Sequence, residues 1–306
     1  MNAKRLIEIT CCGLVMGALW GAPAEAITID VTIDNNNSTV PFIAQETAVV
    51  NQATSQWQNA ITSAGQVNIT FRKSALAGTL LGWASNYTTD VGDTDGDGTL
   101  NGTPTGGLIQ IDDRLGGGEV AFWVDATPSE HSEYNPGFTA YHFTAPVGTP
   151  AANGYDLLSL VKHEIAHVLG FSNSFDNFDD NVVPSPVGGE NSRALYVFGA
   201  APTLGPAAQY NPGVFANGGV YLADDESGGG SASHVDQYMG VGVAAGYFPN
   251  DLMNATLVLG ERTIESDVDL DVLADAYGYT VVPDPATLAL LGLGAVATLI
   301  RRRRSR

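Results

Sequence analysis

One run, Leu157-Leu-Ser-Leu-Val-Lys-His-Glu-Ile-Ala-His-Val-Leu-Gly-Phe171, limits what this chain can fold into more than any other stretch. Leu157, Leu158, Leu160, Val161, Ile165, Val168 and Leu169 recur at helical spacing, so the run reads as a helix with a wide apolar face. Gly170 can close that helix in a left-handed conformation. His163 and His167 stand at i and i+4, on one face and about a turn apart. Two imidazoles so placed can reach one metal ion, and Glu164 then lies where a carboxylate can take a proton from bound water. A buried helix that happens to carry two histidines is the alternative. Histidine is scarce here (5 in 306 residues), and such a motif arises by chance in roughly three of a thousand chains of this composition.

Both ends read as addresses. Lys4 and Arg5, the apolar residues 11–20 and Ala24-Glu25-Ala26 form the three parts of a secretory signal over residues 1–26, and the apolar run falls short of the roughly 20 residues that span a membrane. Cleavage after Ala26 removes Cys11 and Cys12, the 2 cysteines of the chain. The exported part then has no disulfide, no thiol nucleophile and no cysteine to ligate a metal. At the other end, residues 282–300 carry Pro283-Asp-Pro285 and a short apolar run that leads into Arg301-Arg-Arg-Arg304. This segment, residues 283–306, resembles the PEP-CTERM sorting tail, with Asp284 where glutamate is usual. The resemblance implies transient anchoring of residues 286–300 in the inner membrane of a Gram-negative bacterium, then processing by an exosortase-type enzyme. A plain C-terminal anchor with its positive end inside is the alternative.

Between the ends, residues 27–282 hold six basic residues against thirty acidic ones, a formal balance of −24. Such a surface repels nucleic acid and excludes that class of partner. Residues 42–61 place Ala48, Val49, Ala53, Trp57 and Ile61 at helical spacing, and residues 67–72 alternate as a strand. Residues 108–112 and 119–125 read as further strands; the resemblance of the His163–His167 motif to that of zinc proteases implies that the strand just before the metal helix edges a cleft where an extended peptide pairs. Asp93-Thr-Asp-Gly-Asp-Gly98 opens like an EF-hand loop, with Asp93, Asp95 and Asp97 as candidate calcium ligands, but its twelfth position is Pro104 and not a bidentate glutamate. A solvated acidic turn is the other reading. His131 and His142 have no ligand spacing and read as surface or cleft histidines.

Two histidines leave a third protein ligand to find. The run resembles the common, compact metzincin pattern H-E-x-x-H-x-x-G-x-x-H, which would put that ligand at Asn173, a poor zinc ligand. Glu190, 23 residues past His167, and His234 remain. Beyond His234, Asp251-Leu-Met-Asn254 resembles the Met-turn, and residues 265–279 resemble a closing helix, of leishmanolysin-like metzincins. In that group a long insertion separates H-E-x-x-H-x-x-G-F from the third histidine, and His163, Glu164, His167, Gly170, Phe171, His234 and Met253 follow its order. The resemblance implies a zinc metalloendopeptidase of α+β fold. It has an N-terminal lobe (27–172) of twisted sheet and two long helices, and a smaller, loop-rich C-terminal lobe (173–282). It implies His163, His167 and His234 as zinc ligands, Glu164 as general base and a protein or peptide substrate. The tyrosine that some metzincins place just after the Met-turn has no counterpart in residues 254–265. A gluzincin-type peptidase with Glu190 as third ligand, and a non-catalytic, cation-binding extracellular matrix protein, are the competing expectations.

Overall fold

The computed structural model describes residues 26–78, 80–88, 99–113, 121–137, 141–184, 194–199, 219–222, 233–235 and 251–282. Residues 283–306, expected as a sorting tail, residues 1–25 of the signal expected over 1–26, Asp93, Asp95, Asp97 and Glu190 lie outside the described residues.

Alternating apolar residues organise the first half. A four-stranded sheet runs in the order β1 (Thr28–Ile33), β2 (Gln66–Ser74), β4 (Pro104–Asp112), β3 (Gly82–Thr88). The first three are parallel, while β3 pairs antiparallel with β4 and forms an edge. Ile29, Val67, Ile69, Phe71, Ile109 and Ile111 share one face and are buried, as the two-residue period of a strand requires. Two helices cover that face. Helix α1 (Ala44–Ala60) makes the crossover between parallel β1 and β2 and lies against β1, and α2 (Leu157–Val168) lies against β3 and β4. The helices meet at Trp57, fully buried, whose indole Nε1–H donates to the Lys162 carbonyl at 3.1 Å.

The remaining elements extend this core. β5 (Phe122–Trp123) pairs with β8 (Tyr155–Asp156), and β12 (Glu261–Thr263), β7 (His142–Thr144) and β6 (Asn135–Pro136) form a small sheet. After α2 come a single turn, α3 (Asp176–Asp179), and an antiparallel sheet of β9 (Val182–Pro184), β10 (Ala194–Val197) and β11 (Gly219–Leu222). Phe178, Tyr196, Val220 and Leu222 belong to the same buried cluster as α2, so the described parts of the insertion are tied into the core. The closing helix α4 (Asp267–Tyr277) begins at Ser266, whose hydroxyl accepts from the Asp269 N–H, and ends at Gly278 in the left-handed region (φ 68°).

This is a mixed α+β fold, as expected, with the helix over 42–61 and the strands over 67–72 and 108–112 each present. Of the expected strand over 119–125, the described residues 121–125 form β5, and β1 and β3 were not among the expected strands.

Basic residues sit inside. The Lys73 ammonium is buried 2.6 Å from Glu46, whose carboxylate also accepts from the Ile43 N–H at the start of α1. Lys162 pairs with Glu265. Arg262, fully buried, donates to both Asp125 and Asp156 at 2.8 Å and to the Glu130 carbonyl, with its guanidinium over the Tyr134 ring. Asp156 in turn caps α2 by accepting from the Ser159 N–H at 3.0 Å. One arginine thereby ties the start of α2 to β12 and to the segment around residue 130.

Candidate metal centre and cleft

Helix α2 presents His163, Glu164 and His167, and the chain brings His234 back to them across the insertion. The His167 Nε2 atom lies 3.0 Å from Nε2 of His163 and 3.3 Å from Nε2 of His234. Their ligand atoms all lie within 4.8 Å of one another. Four-coordinate zinc with Zn–N bonds of about 2.0–2.1 Å sets its nitrogens roughly 3.3 Å apart, so the spacing fits.

Protons decide which atom of each ring is offered. His163 Nδ1 lies 2.7 Å from the Leu252 carbonyl and His167 Nδ1 lies 2.7 Å from the Phe171 carbonyl. A carbonyl only accepts, so each Nδ1 carries the hydrogen and each Nε2 is left with a bare lone pair. Those lone pairs face each other at 3.0 Å, an arrangement that favours a cation between them. Burial lowers the pKa of all three rings, His163 to about 4 and His234 to about 3, the latter helped by His163. Neutral imidazoles are the form that ligates.

Glu164 is buried among them, and that burial pushes its carboxyl up to about 8. A carboxyl in that range can accept and return a proton near neutral pH. It faces a cleft of about 1020 Å³ whose lining includes Trp83 and Asn86 of β3, Tyr155, and Ala255 to Leu257 after the turn. Gly82 brings β3 close to Glu164: a Cβ there would lie 2.5 Å from the Glu164 Oε1 atom and 2.9 Å from Leu160 Cδ1. The edge of the cleft is therefore β3, not the strand expected over 119–125.

Two successive carbonyls of the turn after Asp251 hold the histidine-bearing segments. Leu252 orients His163, and Met253 accepts from the Val235 N–H at 2.8 Å. Met253 itself is fully buried, and the turn is closed by the Asn254 N–H on the Asp251 carbonyl. Gly170 ends α2 with φ 112°, where a side chain would strike the Tyr277 ring; the Tyr277 hydroxyl donates to the Gly170 carbonyl at 2.8 Å.

The structure thus gathers His163, Glu164, His167 and His234, and buries Met253 in the turn whose carbonyls hold the His163 ring and Val235. His131 stacks on Phe143 and His142 is buried 3.1 Å from Glu261, both outside the cluster. Asp93, Asp95 and Asp97 are not described. Thr99 and Asn101, the seventh and ninth positions of that loop, contact the Asp176 carboxylate. β3, Tyr155 and Ser233 carry no site signal in the sequence, and Asn173 stands out there only as a poor ligand at the compact position; Gly82, Ala84 and Ser85 alone hint at a close approach.

The PEP-CTERM protein-sorting motif matches residues 281–304. It marks the chain for export and sorting to the cell surface of a Gram-negative bacterium and implies recognition by an exosortase-type processing enzyme. No curated protein matches the chain. Among the described residues, no helix is long and apolar enough to cross a membrane.

Proposed function

We propose that the exported chain is a zinc-dependent endopeptidase resembling the metzincins, with His163, His167 and His234 as ligands and Glu164 as general base. The observation that carries this reading is the convergence of three neutral imidazoles, two with Nδ1 committed to backbone carbonyls, beside a buried carboxyl in an open cleft. His234 takes the third position in this reading because it supplies a nitrogen to the cluster; Glu190 lies outside the described residues.

A bound zinc ion supplies Lewis acidity and a water of lowered pKa. The chain's own residues do the rest. Edge strand β3 has one strand partner among the described residues, β4, and on its other side an extended substrate segment can add as a further strand. Recognition of backbone needs no chain terminus, which suits an endopeptidase. Glu164 takes the proton of the attacking water and passes it to the leaving amine. Leu252 and Phe171 hold the two helix-borne rings in the ligating tautomer.

The test compares the exported wild type with Glu164→Gln on a dye-labelled unfolded protein, each with and without a zinc chelator. Cleavage by the wild type that is lost with the chelator, restored by zinc and absent in Glu164→Gln is the expected result. A wild type that holds zinc and cleaves nothing refutes the reading.

A further inference from the structure

His234 reaches the cluster from an insertion of more than sixty residues, so something must hold it there before metal arrives. On one flank the Ser233 hydroxyl donates to Asn173 Oδ1 at 2.7 Å and accepts from the Asn173 N–H at 3.2 Å. On the other, Val235 donates to Met253 and bridges to Asn254 and Leu222. Ser233 is buried, and Asn173 lies on the segment that leaves α2 just after Gly170.

Resting on the zinc reading, we infer that Asn173 and Ser233 form a clamp that positions His234 and sets the affinity of the site for metal. Asn173 occupies the place where the compact spacing would put a ligand. It is a poor ligand itself, and it acts here by gripping the residue next to the distant one. The chemistry favours this pair. A single hydroxyl both donates and accepts, and Asn173 answers with a side-chain acceptor and a backbone donor, so two bonds fix the Ser233 backbone against the end of a rigid helix. Without them, binding would have to order the His234 segment at the expense of chain entropy. Groups that orient a ligand in this way change metal affinity about ten- to a hundredfold when removed.

The experiment uses the full exported chain stripped of metal, titrated with zinc against a chromophoric chelator. The variants are Ser233→Ala, Asn173→Ala, the double variant, and Asn173→Asp, which keeps both the Oδ acceptor and the N–H. Cobalt substitution gives a second readout, because its visible spectrum reports the number and geometry of the nitrogen ligands. Ser233→Ala is expected to weaken zinc about ten- to a hundredfold, Asn173→Ala by no more, and the double variant by no more than Ser233→Ala alone. Asn173→Asp is expected to bind as the wild type does. Thermal unfolding of the metal-free forms separates lost affinity from lost fold; if Ser233→Ala does not fold, the contrast between Asn173→Ala and Asn173→Asp decides. Wild-type zinc affinity and an unchanged cobalt spectrum in folded Ser233→Ala overturn the inference, as do fully additive losses. A wild type that takes no zinc overturns the metal site itself, a different result from either.

Discussion

Gly82 offers the sharpest test of how the cleft is built. A methyl group added there would sit 2.5 Å from the Glu164 Oε1 atom, 3.0 Å from its carboxyl carbon and 2.9 Å from Leu160 Cδ1, where ordinary contact begins at 3.4 Å. The nearest neighbours are the ends of side chains, so the backbone of β3 need not move. The carboxylate must retreat by about 0.9 Å, the difference between 2.5 and 3.4 Å. A misplacement near 1 Å costs on the order of 100-fold in rate, equivalent to about 2.7 kcal/mol of transition-state stabilisation. Gly82→Ala is therefore expected to lose about 100-fold in kcat/KM, read from initial cleavage rates at low substrate. Its stability should fall by about 1 kcal/mol, at the low end for an overfilled site, and its zinc content should stay the same. Gly107→Ala is the control. There the new Cβ would meet the Ser85 carbonyl at 2.2 Å, a backbone atom that cannot swing away, so this variant should lose stability first. Full activity in Gly82→Ala, or loss of zinc together with activity, would show that Gly82 does not set the place of the Glu164 carboxyl.

Three further outcomes follow from buried polar groups. Arg262→Met leaves Asp125 and Asp156 buried without their cation, which should cost about 3–5 kcal/mol in urea unfolding; a loss under 1 kcal/mol would mean those carboxylates find other partners. Trp57→Phe removes the indole donor to the Lys162 carbonyl and should cost about 1–3 kcal/mol, which a midpoint unchanged from wild type would contradict. Asp269 is buried beside Asp251, and burial followed by the charge of Asp251 holds its carboxyl well above the usual range. The folded chain therefore keeps a proton that the unfolded chain gives up, so the stability tied to Asp269 is present at low pH. It declines as pH rises from the ordinary carboxylate range through the raised folded value. Asp269→Asn should gain melting temperature over wild type progressively as pH rises above the ordinary carboxylate range of about 4, and a difference that does not vary with pH would argue against a protonated Asp269.

What could be read from the chain beforehand depended on whether the signal was local. Helix α2 was legible because its apolar period, its glycine stop and its His-Glu-x-x-His spacing all fall within fifteen residues. His234 was legible only by its order between the motif and Met253. Strand β3 was not, because its inner face is Gly82, Ala84 and Asn86 while Trp83 and Tyr87 point outward. The close approach of α2 requires small inner residues, which removes the apolar alternation that marks a strand. The stretch 119–125 shows the converse: it alternates well, yet among its described residues, 121–125, only Phe122 and Trp123 find a partner strand, since pairing is a tertiary event. Asn173 and Ser233 meet across 60 positions, and neither carries any mark of the other in its own neighbourhood.

The interior placement of the lysines and arginine changes what the formal charge means to anything outside. Lys73, Lys162 and Arg262 are each at most 3% exposed, and their neutralising power is consumed by Glu46, Glu265, Asp125 and Asp156. Among the described residues, the remaining cationic side chain of this kind, Arg72, is itself engaged by Asp34. The exterior of this part of the chain therefore behaves as a polyanion wrapped in a counterion shell. Two copies repel each other, and the range of that repulsion shrinks from about 30 Å in dilute buffer to about 8 Å at physiological salt. A basic polypeptide approaching the cleft is drawn in by the same field, which makes encounter rates fall with added salt.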